Sequence, residues 1–446
     1  MIQEQTSAVQ GEYQKKRLSI SEATKLVKDR DHIVSAMAAA EPIGFLSQLH
    51  MAAEHARNIT VSTCLPMLNY DYFTNEQYFP HFKMEGWFYT SAIRNMQGVG
   101  HVSYIPNHLH FAGTKRLAHR SVQIFAGSAS RMDKNGYLSL SLSATYEREM
   151  MAQADIVLLE VNENMPRTFG DTIVHIRDVD YIVEHHAQIP QFPSPEPNEK
   201  DKLIGAAIAT HIEDGSTLQL GIGGIPNAVA ANLTHKKNLG IHTEMLTDGM
   251  VDLVEAGVIT GCKKTLHPHR MVATFALGTD KLYRFLDDNP GVLMLNGNWV
   301  NDPAVIGQNE KMISINTTLE IDLTGQCSSE SLGHRQYSGT GGQTDTAVGA
   351  QRSPGGKSFI ALYSTAMVKN KETGRRERKS KIVPALAEGS TVTLSRNDVD
   401  YVVTEYGAVS LRGTSLDERV ERLISIAHPD FRETLALEAK KRGIVR

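Results

Sequence analysis

The segment from Ser216 to Thr243 constrains the fold most strongly. A short apolar strand pattern at 216–220 is followed by a glycine turn at 221–224, a helical pattern at 226–233 and a new strand from Ile241. This strand–loop–helix–strand order is typical of a βαβ unit in a parallel sheet, with a right-handed crossover. The segment therefore predicts an α/β fold.

The first half of the chain repeats this order. Strand patterns at 31–37 and 58–64 flank a helical pattern that Pro42 opens and that runs to about Glu54, and 156–159 is an unbroken apolar run. Such runs are typical of buried parallel strands. We expect two similar open α/β domains with mostly parallel sheets and the active site in the cleft between them.

A proline-rich segment separates the two halves. Four prolines fall within eight positions, 190–197, where they can continue neither a helix nor a central strand. We interpret 189–199 as a linker between an N-terminal domain, 1–188, and a C-terminal domain, 200–446. A strained active-site loop is the alternative.

The last third of the chain shows a different pattern. Strand patterns at 359–363 and 390–394 flank a basic stretch, 369–381, with seven Lys or Arg against two Glu. This stretch is a solvated hairpin tip in one interpretation and a cationic lip for a phosphorylated cofactor in the other. The end of the chain, 416–446, is predicted to be helical.

Composition excludes several classes of protein. Lys plus Arg is 46 and Asp plus Glu is 50, which gives a formal charge of −4, whereas nucleic-acid binders are usually basic. No apolar run reaches the roughly 20 residues that span a bilayer, and the N-terminus lacks a signal-peptide core. The three cysteines are scattered, as expected in a reducing compartment. We expect a cytoplasmic protein.

The glycine turn is the first candidate site. Residues 221–226 (GIGGIP), with Glu244 about 20 residues on, resemble a dinucleotide fingerprint, but Pro226 replaces its third glycine. That replacement argues against a dinucleotide. A glycine turn at a helix N-terminus still presents backbone N–H groups to an anion or to a developing oxyanion.

A second glycine loop and a carboxylate complete the candidates. Residues 338–345 (SGTGGQTD) leave backbone amides unshielded, although a plain flexible turn is the alternative. Glu244 lies in the largely apolar strand that begins at Ile241, and we expect it at the carboxyl end of that strand, where open α/β sheets bind ligands. There it could act as a general base or a nucleophile. The alternative is a surface ion pair, which is the usual role of a single glutamate.

These motifs, in this order, resemble the family I coenzyme A transferases. The resemblance is to the acetyl-CoA hydrolase/transferase branch, which includes 4-hydroxybutyrate and butyrate:acetate CoA-transferases. The matching segments are 219–226 (QLGIGGIP), 241–245 (IHTEM), 338–345 (SGTGGQTD), 404–407 (TEYG), 412–413 (RG) and 426–432 (IAHPDFR).

The chain departs from the family pattern at two places. Thr346 stands where an aromatic residue is common, and Ala408-Val409 reverses the usual order. Both lie near the expected CoA and acyl pockets, so they bear on acyl-chain specificity more than on the chemistry.

The resemblance assigns roles to particular residues. It implies that Glu244 is the nucleophile, which forms a glutamyl-CoA thioester in a ping-pong reaction between an acyl-CoA and a free acid. Gln219 would orient a substrate carboxylate. The expected oxyanion and substrate-binding residues are Ile222, Gly223, Gly224, Ile225, Asn227 and Met245, and the expected CoA-binding residues are Gly339, Gly341, Gly342, Gln343 and Lys369.

The resemblance also implies which substrates, cofactors and partners to expect. We expect CoA as part of the substrate, a short carboxylic acid such as acetate as the second substrate, and neither a metal nor a nicotinamide. No nucleic acid or membrane is expected as a partner, and a homo-oligomer, with a dimer favoured, is expected. Two alternatives stay open: an acyl-CoA hydrolase that uses the same glutamate, and a non-catalytic CoA-ester sensor.

Overall fold

The computed structural model describes residues 2–370 and 373–446, with side chains described from residue 8. The chain divides into two compact units. The first contains the chain up to Pro193 together with 243–248 and 270–301, and the second contains 194–242, 249–269 and 302–446.

A parallel sheet forms the centre of the first unit, and all of its neighbouring strands run parallel. In spatial order its eight strands are Arg17–Leu18, Tyr181–Glu184, Ala154–Val161, Val122–Ala129, His32–Ser35, Ile59–Cys64, Phe82–Phe88 and Val102–Tyr104. The strands at 32–35 and 59–64 are buried at every position, as expected when helices cover both faces of a parallel sheet.

Smaller ladders and short helices complete the first unit. The ladders are Tyr137–Ser139 with Ile173–His175, Phe169–Gly170 with Val292–Met294 and Met271–Ala273, and Met245–Leu246 with Phe275–Ala276. The α-helices are Ile2–Lys16, Ile20–Thr24, Ile43–Gln48, Asp71–Thr74, Ser91–Met96, Ala112–His119, Glu147–Gln153, Asp280–Leu286 and Gly297–Val300. Five 3₁₀ turns join them, at Ala38–Ala40, Leu49–Glu54, Glu76–Tyr78, Leu109–Phe111 and Ile176–Asp178.

The second unit is built on a sheet of six strands, of which the last pairs antiparallel and the others parallel. In spatial order they are Gly240–Ile241, Thr217–Leu220, Met312–Thr317, Lys357–Ala361, Tyr401–Thr404 and Gly407–Ser410. Its helices are Glu199–Ala209, Gly224–Ala231, Asp248–Glu255, Pro303–Ile306, Gln343–Arg352, Leu416–Ser425 and Pro429–Lys441. The remaining strands are Glu320–Asp322, Cys327–Ser328, Ile382–Val383, Ser331–Leu332, Arg335–Gln336, Thr365–Lys369 and Arg376–Ser380.

The predicted fold class, α/β with mostly parallel sheets, is confirmed. The βαβ unit forms as expected, because the strand Thr217–Leu220 pairs in parallel with Gly240–Ile241 and the helix Gly224–Ala231 lies between them in the chain. The basic stretch forms an antiparallel hairpin between Thr365–Lys369 and Arg376–Ser380, and Lys371 and Glu372 lie outside the described residues.

Two local predictions are wrong. Residues 390–394 form no extended strand, because the backbone N–H of Thr391 bonds the Ser331 hydroxyl and only Leu394 makes a bridge, to Cys327. Glu244 does not end a strand either. It lies in a bend, because the strand Gly240–Ile241 stops early and a separate strand, Met245–Leu246, follows.

The compact units are interleaved along the chain. The first stretch of the first unit ends at Pro193, inside the segment 189–199 that we expected as a linker. Residues 270–301 join the first unit because Val292–Met294 pairs with Phe169–Gly170. Glu244 therefore belongs to the first unit, whereas we expected it in the C-terminal domain. The division at 189–199 stays a prediction.

Among the described residues, no helix is both long and apolar enough to cross a bilayer.

Substitution of Gly224 tests the packing beneath the glycine turn. An added Cβ at Gly224 would lie 2.3 Å from an Asp201 carboxylate oxygen, whereas at Gly221 the nearest neighbours would lie 3.8 Å away. We expect Gly224→Ala to lower the free energy of unfolding by about 1–3 kcal/mol, the usual cost of overpacking. Gly221→Ala is the matched control and should change it by less. Denaturant unfolding measures both, and equal effects would contradict this account.

Glu41 predicts a pH-dependent stability. Its carboxyl accepts the Met67 N–H at 3.1 Å, and burial raises its pKa from 4.5 to about 8. Between those pH values the folded chain keeps a proton that the unfolded chain releases. The free energy of unfolding should then fall by about 1.4 kcal/mol per pH unit as pH rises. Unfolding of wild type and Glu41→Gln from pH 4.5 to 8 measures this difference, and parallel curves would contradict it.

Candidate active site

Glu244 is anchored through its backbone in the first unit. Its carbonyl oxygen accepts the N–H groups of Thr274 and Phe275, at 3.1 and 2.9 Å. Met245 and Leu246 then pair in parallel with Phe275 and Ala276. The bend that carries the glutamate is therefore fixed on its carboxyl side by a short ladder.

The Glu244 side chain is oriented by an amide. Asn301 Nδ2 donates to Glu244 Oε2 at 3.1 Å. Asn301 is 1% exposed and follows the helix Gly297–Val300 directly. An added Cβ at Gly297 would lie 2.6 Å from the Thr145 carbonyl oxygen, so this helix packs closely on residue 145. Asn301 therefore donates to the carboxylate from the end of a closely packed helix.

Sequence reasoning missed Asn301. It lies 57 positions after Glu244 and falls in no motif that we recognised. Three asparagines within six residues, Asn296, Asn298 and Asn301, were the only available signal, and asparagine at helix ends is common for capping alone.

Cys64 lies in the same unit at the end of the strand Ile59–Cys64 and is fully buried. Burial raises the pKa of its thiol well above the usual range, and the charges of Glu147 and Glu244 raise it further. A thiol held protonated in this way is a poor nucleophile. Cys64 is therefore not a candidate nucleophile.

Met245 is a core residue. It is 5% exposed, and its carbonyl oxygen accepts the Thr243 hydroxyl at 3.1 Å. Its contribution to a substrate pocket stays a prediction.

The glycine turn of the second unit joins a strand to a helix, as the sequence predicted. Gly223 has φ +121°, which side-chain-bearing residues rarely adopt, and it precedes the helix Gly224–Ala231. Pro226 lies in the first turn of that helix, where its missing N–H is tolerated. Ile225 is buried and Ile222 is partly exposed. The backbone N–H groups of this turn are available as donors at a helix N-terminus.

Gln219 lies two residues before that turn and is 0% exposed. Its Oε1 accepts the Ser314 hydroxyl at 2.9 Å and the Ile315 N–H at 3.2 Å. Its Nε2 is buried and has no hydrogen-bond partner among the described residues. Gln219 therefore has a donor group left over for a ligand.

The second glycine loop meets the same sheet. Gly341 has φ +55°, and Gly342 caps the helix Gln343–Arg352, so Gly339, Gly341 and Gly342 all precede a helix N-terminus. Gln343 Nε2 donates to the carbonyl of Thr317, the last residue of the strand Met312–Thr317. That strand pairs with Thr217–Leu220, so the two predicted glycine loops lie at the carboxyl ends of neighbouring strands.

Two other predicted residues lie elsewhere in the second unit. The Asn227 amide donates to the Pro195 carbonyl at 3.3 Å, so it contacts the proline-rich segment. Lys369 is exposed and ends the first strand of the basic hairpin, where it pairs with Arg376. Their roles toward a substrate stay predictions.

The first unit supplies a carboxylate on a fixed bend. The second unit supplies a buried amide donor and two glycine loops with backbone N–H groups. Across residues 2–370 and 373–446, no group of three or more His, Cys, Asp or Glu side chains is placed to bind a metal ion.

Two family models match the chain. The acetyl-CoA hydrolase/transferase N-terminal domain matches residues 1–192, and the C-terminal domain of the same family matches residues 278–439.

Curated relatives extend over nearly the whole chain. The chain is 43% identical to a succinyl-CoA:cyclohexane-1-carboxylate CoA transferase of Geobacter metallireducens, over 96% of each chain. It is 42% identical to a 4-hydroxybutyrate coenzyme A transferase of Clostridium kluyveri, over 96% of this chain and 98% of the relative.

Solved structures also match this chain over nearly its whole length. RipA from Yersinia pestis superposes with a TM-score of 0.89 at 35% identity, covering 98% of this chain and all of RipA. The resemblance predicted from the motifs is thereby confirmed. The chain belongs to the acetyl-CoA hydrolase/transferase family, within a group whose full-length relatives are CoA-transferases.

Proposed function

We propose that this protein transfers coenzyme A between a short-chain acyl-CoA and a free carboxylic acid through a covalent intermediate on Glu244. The acyl groups that we propose are acetyl, butyryl and 4-hydroxybutyryl, with acetate as an acceptor. The observation that carries the proposal is the support of Glu244: its backbone is pinned by Thr274 and Phe275, and Asn301 binds its carboxylate.

The first half-reaction has two steps. The Glu244 carboxylate attacks the thioester carbonyl, so a C–O bond forms, the C–S bond breaks, and an acyl–glutamyl anhydride and CoA thiolate result. The thiolate then attacks the glutamyl carbonyl of the anhydride. A new C–S bond forms, the anhydride C–O bond breaks, and the first acid leaves as its carboxylate.

The second half-reaction reverses these steps with the incoming acid. Its carboxylate attacks the glutamyl-CoA thioester, and the released thiolate then attacks the new acyl group and regenerates Glu244. No proton and no redox equivalent is consumed. Because the thioester bond is exchanged and never hydrolysed, its free energy is kept.

Backbone donors would stabilise the charge that develops in these steps. Each tetrahedral intermediate carries an oxyanion, and N–H groups of the turn at 222–225 and the loop at 339–342 are the donors that we propose. Loss of one such donor typically costs about 10²–10³ in rate. In this scheme the free Nε2 of Gln219 binds the substrate carboxylate.

CoA would bind through the second glycine loop and the basic hairpin. The N-terminus of the ten-residue helix Gln343–Arg352, with Gly339, Gly341 and Gly342 before it, suits an anionic group. Lys369 and the neighbouring cations of the hairpin would attract the CoA phosphates. We also propose that the protein works as a homodimer in the cytoplasm, where its three scattered cysteines would stay reduced.

Trapping of the intermediate tests the proposal. Wild type incubated with acetyl-CoA without an acceptor acid, then reduced with borohydride, should carry the reduced side chain at Glu244 in peptide mass spectra. Glu244→Gln should lose the label and at least about 10⁴-fold in kcat, as expected when a nucleophile is removed. Glu433→Gln, an exposed helical glutamate, is the control and should keep both.

Assays of the same wild-type preparation distinguish a transferase from a hydrolase and from a non-catalytic sensor. With a second short acid present, a transferase makes a new acyl-CoA, a hydrolase releases free CoA, and a sensor binds acyl-CoA without turnover. A label elsewhere, or full transfer activity in Glu244→Ala, would overturn the mechanism.

Replacing Asn301 should lower kcat/KM, whereas replacing the nearby Asn298 should not. Removing a hydrogen bond to a charged group costs about 1.5–3 kcal/mol, so we expect Asn301→Ala to lower kcat/KM for acyl-CoA by about 10- to 150-fold. Asn298 lies on the short helix that ends just before Asn301, and its amide donates to a Glu149 carboxylate oxygen instead. Steady-state kinetics of Asn298→Ala should match wild type. Equal losses in both variants would show that the helix acts only through stability.

A further inference from the structure

A buried hydroxyl connects the second glycine loop to Gln219. Thr346 lies on the helix Gln343–Arg352 and is 2% exposed. Its Oγ1 lies 3.0 Å from the Ser314 hydroxyl oxygen and accepts Asn316 Nδ2 at 3.0 Å. The sequence led us to associate this position with acyl-chain specificity. The structure places its hydroxyl in a polar network.

The network continues from Thr346 to Gln219. Asn316 Nδ2 also donates to the Ser314 hydroxyl oxygen at 3.0 Å, and Ser314 donates to Gln219 Oε1 at 2.9 Å. Ser314 is 0% exposed and lies opposite Gln219 on the neighbouring strand. Thr346, Ser314 and Asn316 together form what we call the hydroxyl relay.

The Ile315 backbone N–H, together with the relay donors Ser314 and Asn316, fixes which way the Gln219 amide faces. The Ile315 N–H is a backbone donor that can only face an acceptor, so Oε1 must point toward it. A flipped amide would place its NH₂ against that N–H and against Ser314 and Asn316. The two Nε2 hydrogens are therefore directed away from the relay, and within the described part of the chain no acceptor meets them.

We propose that Thr346 is a positioning residue, which through Ser314 and Asn316 holds Gln219 so that its Nε2 binds a carboxylate oxygen of the acid substrate. This inference rests on the proposed function. A phenylalanine at position 346 would have no group to form these hydrogen bonds.

Three substitutions test the relay. Thr346→Val removes the hydroxyl at constant shape, and Thr346→Ser keeps it. Thr217→Val is the matched control, since Thr217 lies on the Gln219 strand, is 0% exposed, and its hydroxyl is unbonded within residues 2–370 and 373–446. A neutral hydrogen bond is worth about 2- to 10-fold in an equilibrium constant.

We expect Thr346→Val to raise the KM for the acceptor acid by about 3- to 10-fold. Inhibition by free CoA should stay at its wild-type value, and Thr346→Ser should restore the KM. Loss of the buried hydrogen bonds should lower the melting temperature of Thr346→Val whichever role is right. A merely structural role would not move the acid KM selectively.

Separate results overturn the relay and the proposed function. The relay is wrong if Thr346→Val changes the acid KM no more than Thr217→Val does, or if Thr346→Ser raises it as much as Thr346→Val. In either case transfer activity and the Glu244 label survive. If wild type makes no new acyl-CoA from a second acid, the proposed function fails and the relay fails with it.

Discussion

One hydrogen bond, from the Asn301 amide to the Glu244 carboxylate, is the contact on which the proposed chemistry depends. A carboxylate that attacks a thioester must be aimed, yet it must keep its negative charge available. The Asn301 amide is neutral, so its hydrogen bond orients one oxygen without cancelling the charge of the carboxylate. The backbone bonds from Thr274 and Phe275 to the Glu244 carbonyl add the second constraint, because they fix the bend from which the side chain projects.

The second unit is organised by close packing around glycine. Gly224 lies against the Asp201 carboxylate, and Asp201 in turn accepts the Tyr363 hydroxyl at 2.7 Å. The glycine turn, the helix Glu199–Ala209 and the loop after Lys357–Ala361 are thereby packed together. A side chain at residue 224 would displace this arrangement, so the backbone donors of the turn depend on a residue that itself makes no polar side-chain contact.

Much of the fold could be predicted from local patterns. The βαβ unit at 216–241, the apolar run at 156–159 and both glycine loops are encoded in consecutive residues. Features set by distant contacts could not be predicted. The alternation at 390–394 suggests a strand, yet Thr391 bonds a side chain instead. Asn301 and the Thr346 relay depend on residues far apart in sequence, and the bend at Glu244 depends on pairing with residues 274–276.

The most direct test follows single oxygen atoms. In the proposed scheme an acceptor acid labelled with ¹⁸O in its carboxylate attacks the glutamyl-CoA, and one of its oxygens becomes the bridge of the anhydride. When the thiolate removes the acyl group, that oxygen stays on Glu244. Mass spectrometry of the peptide that contains Glu244 should therefore show ¹⁸O on this side chain after turnover. Transfer to a new acyl-CoA with no ¹⁸O on Glu244 would contradict the covalent mechanism.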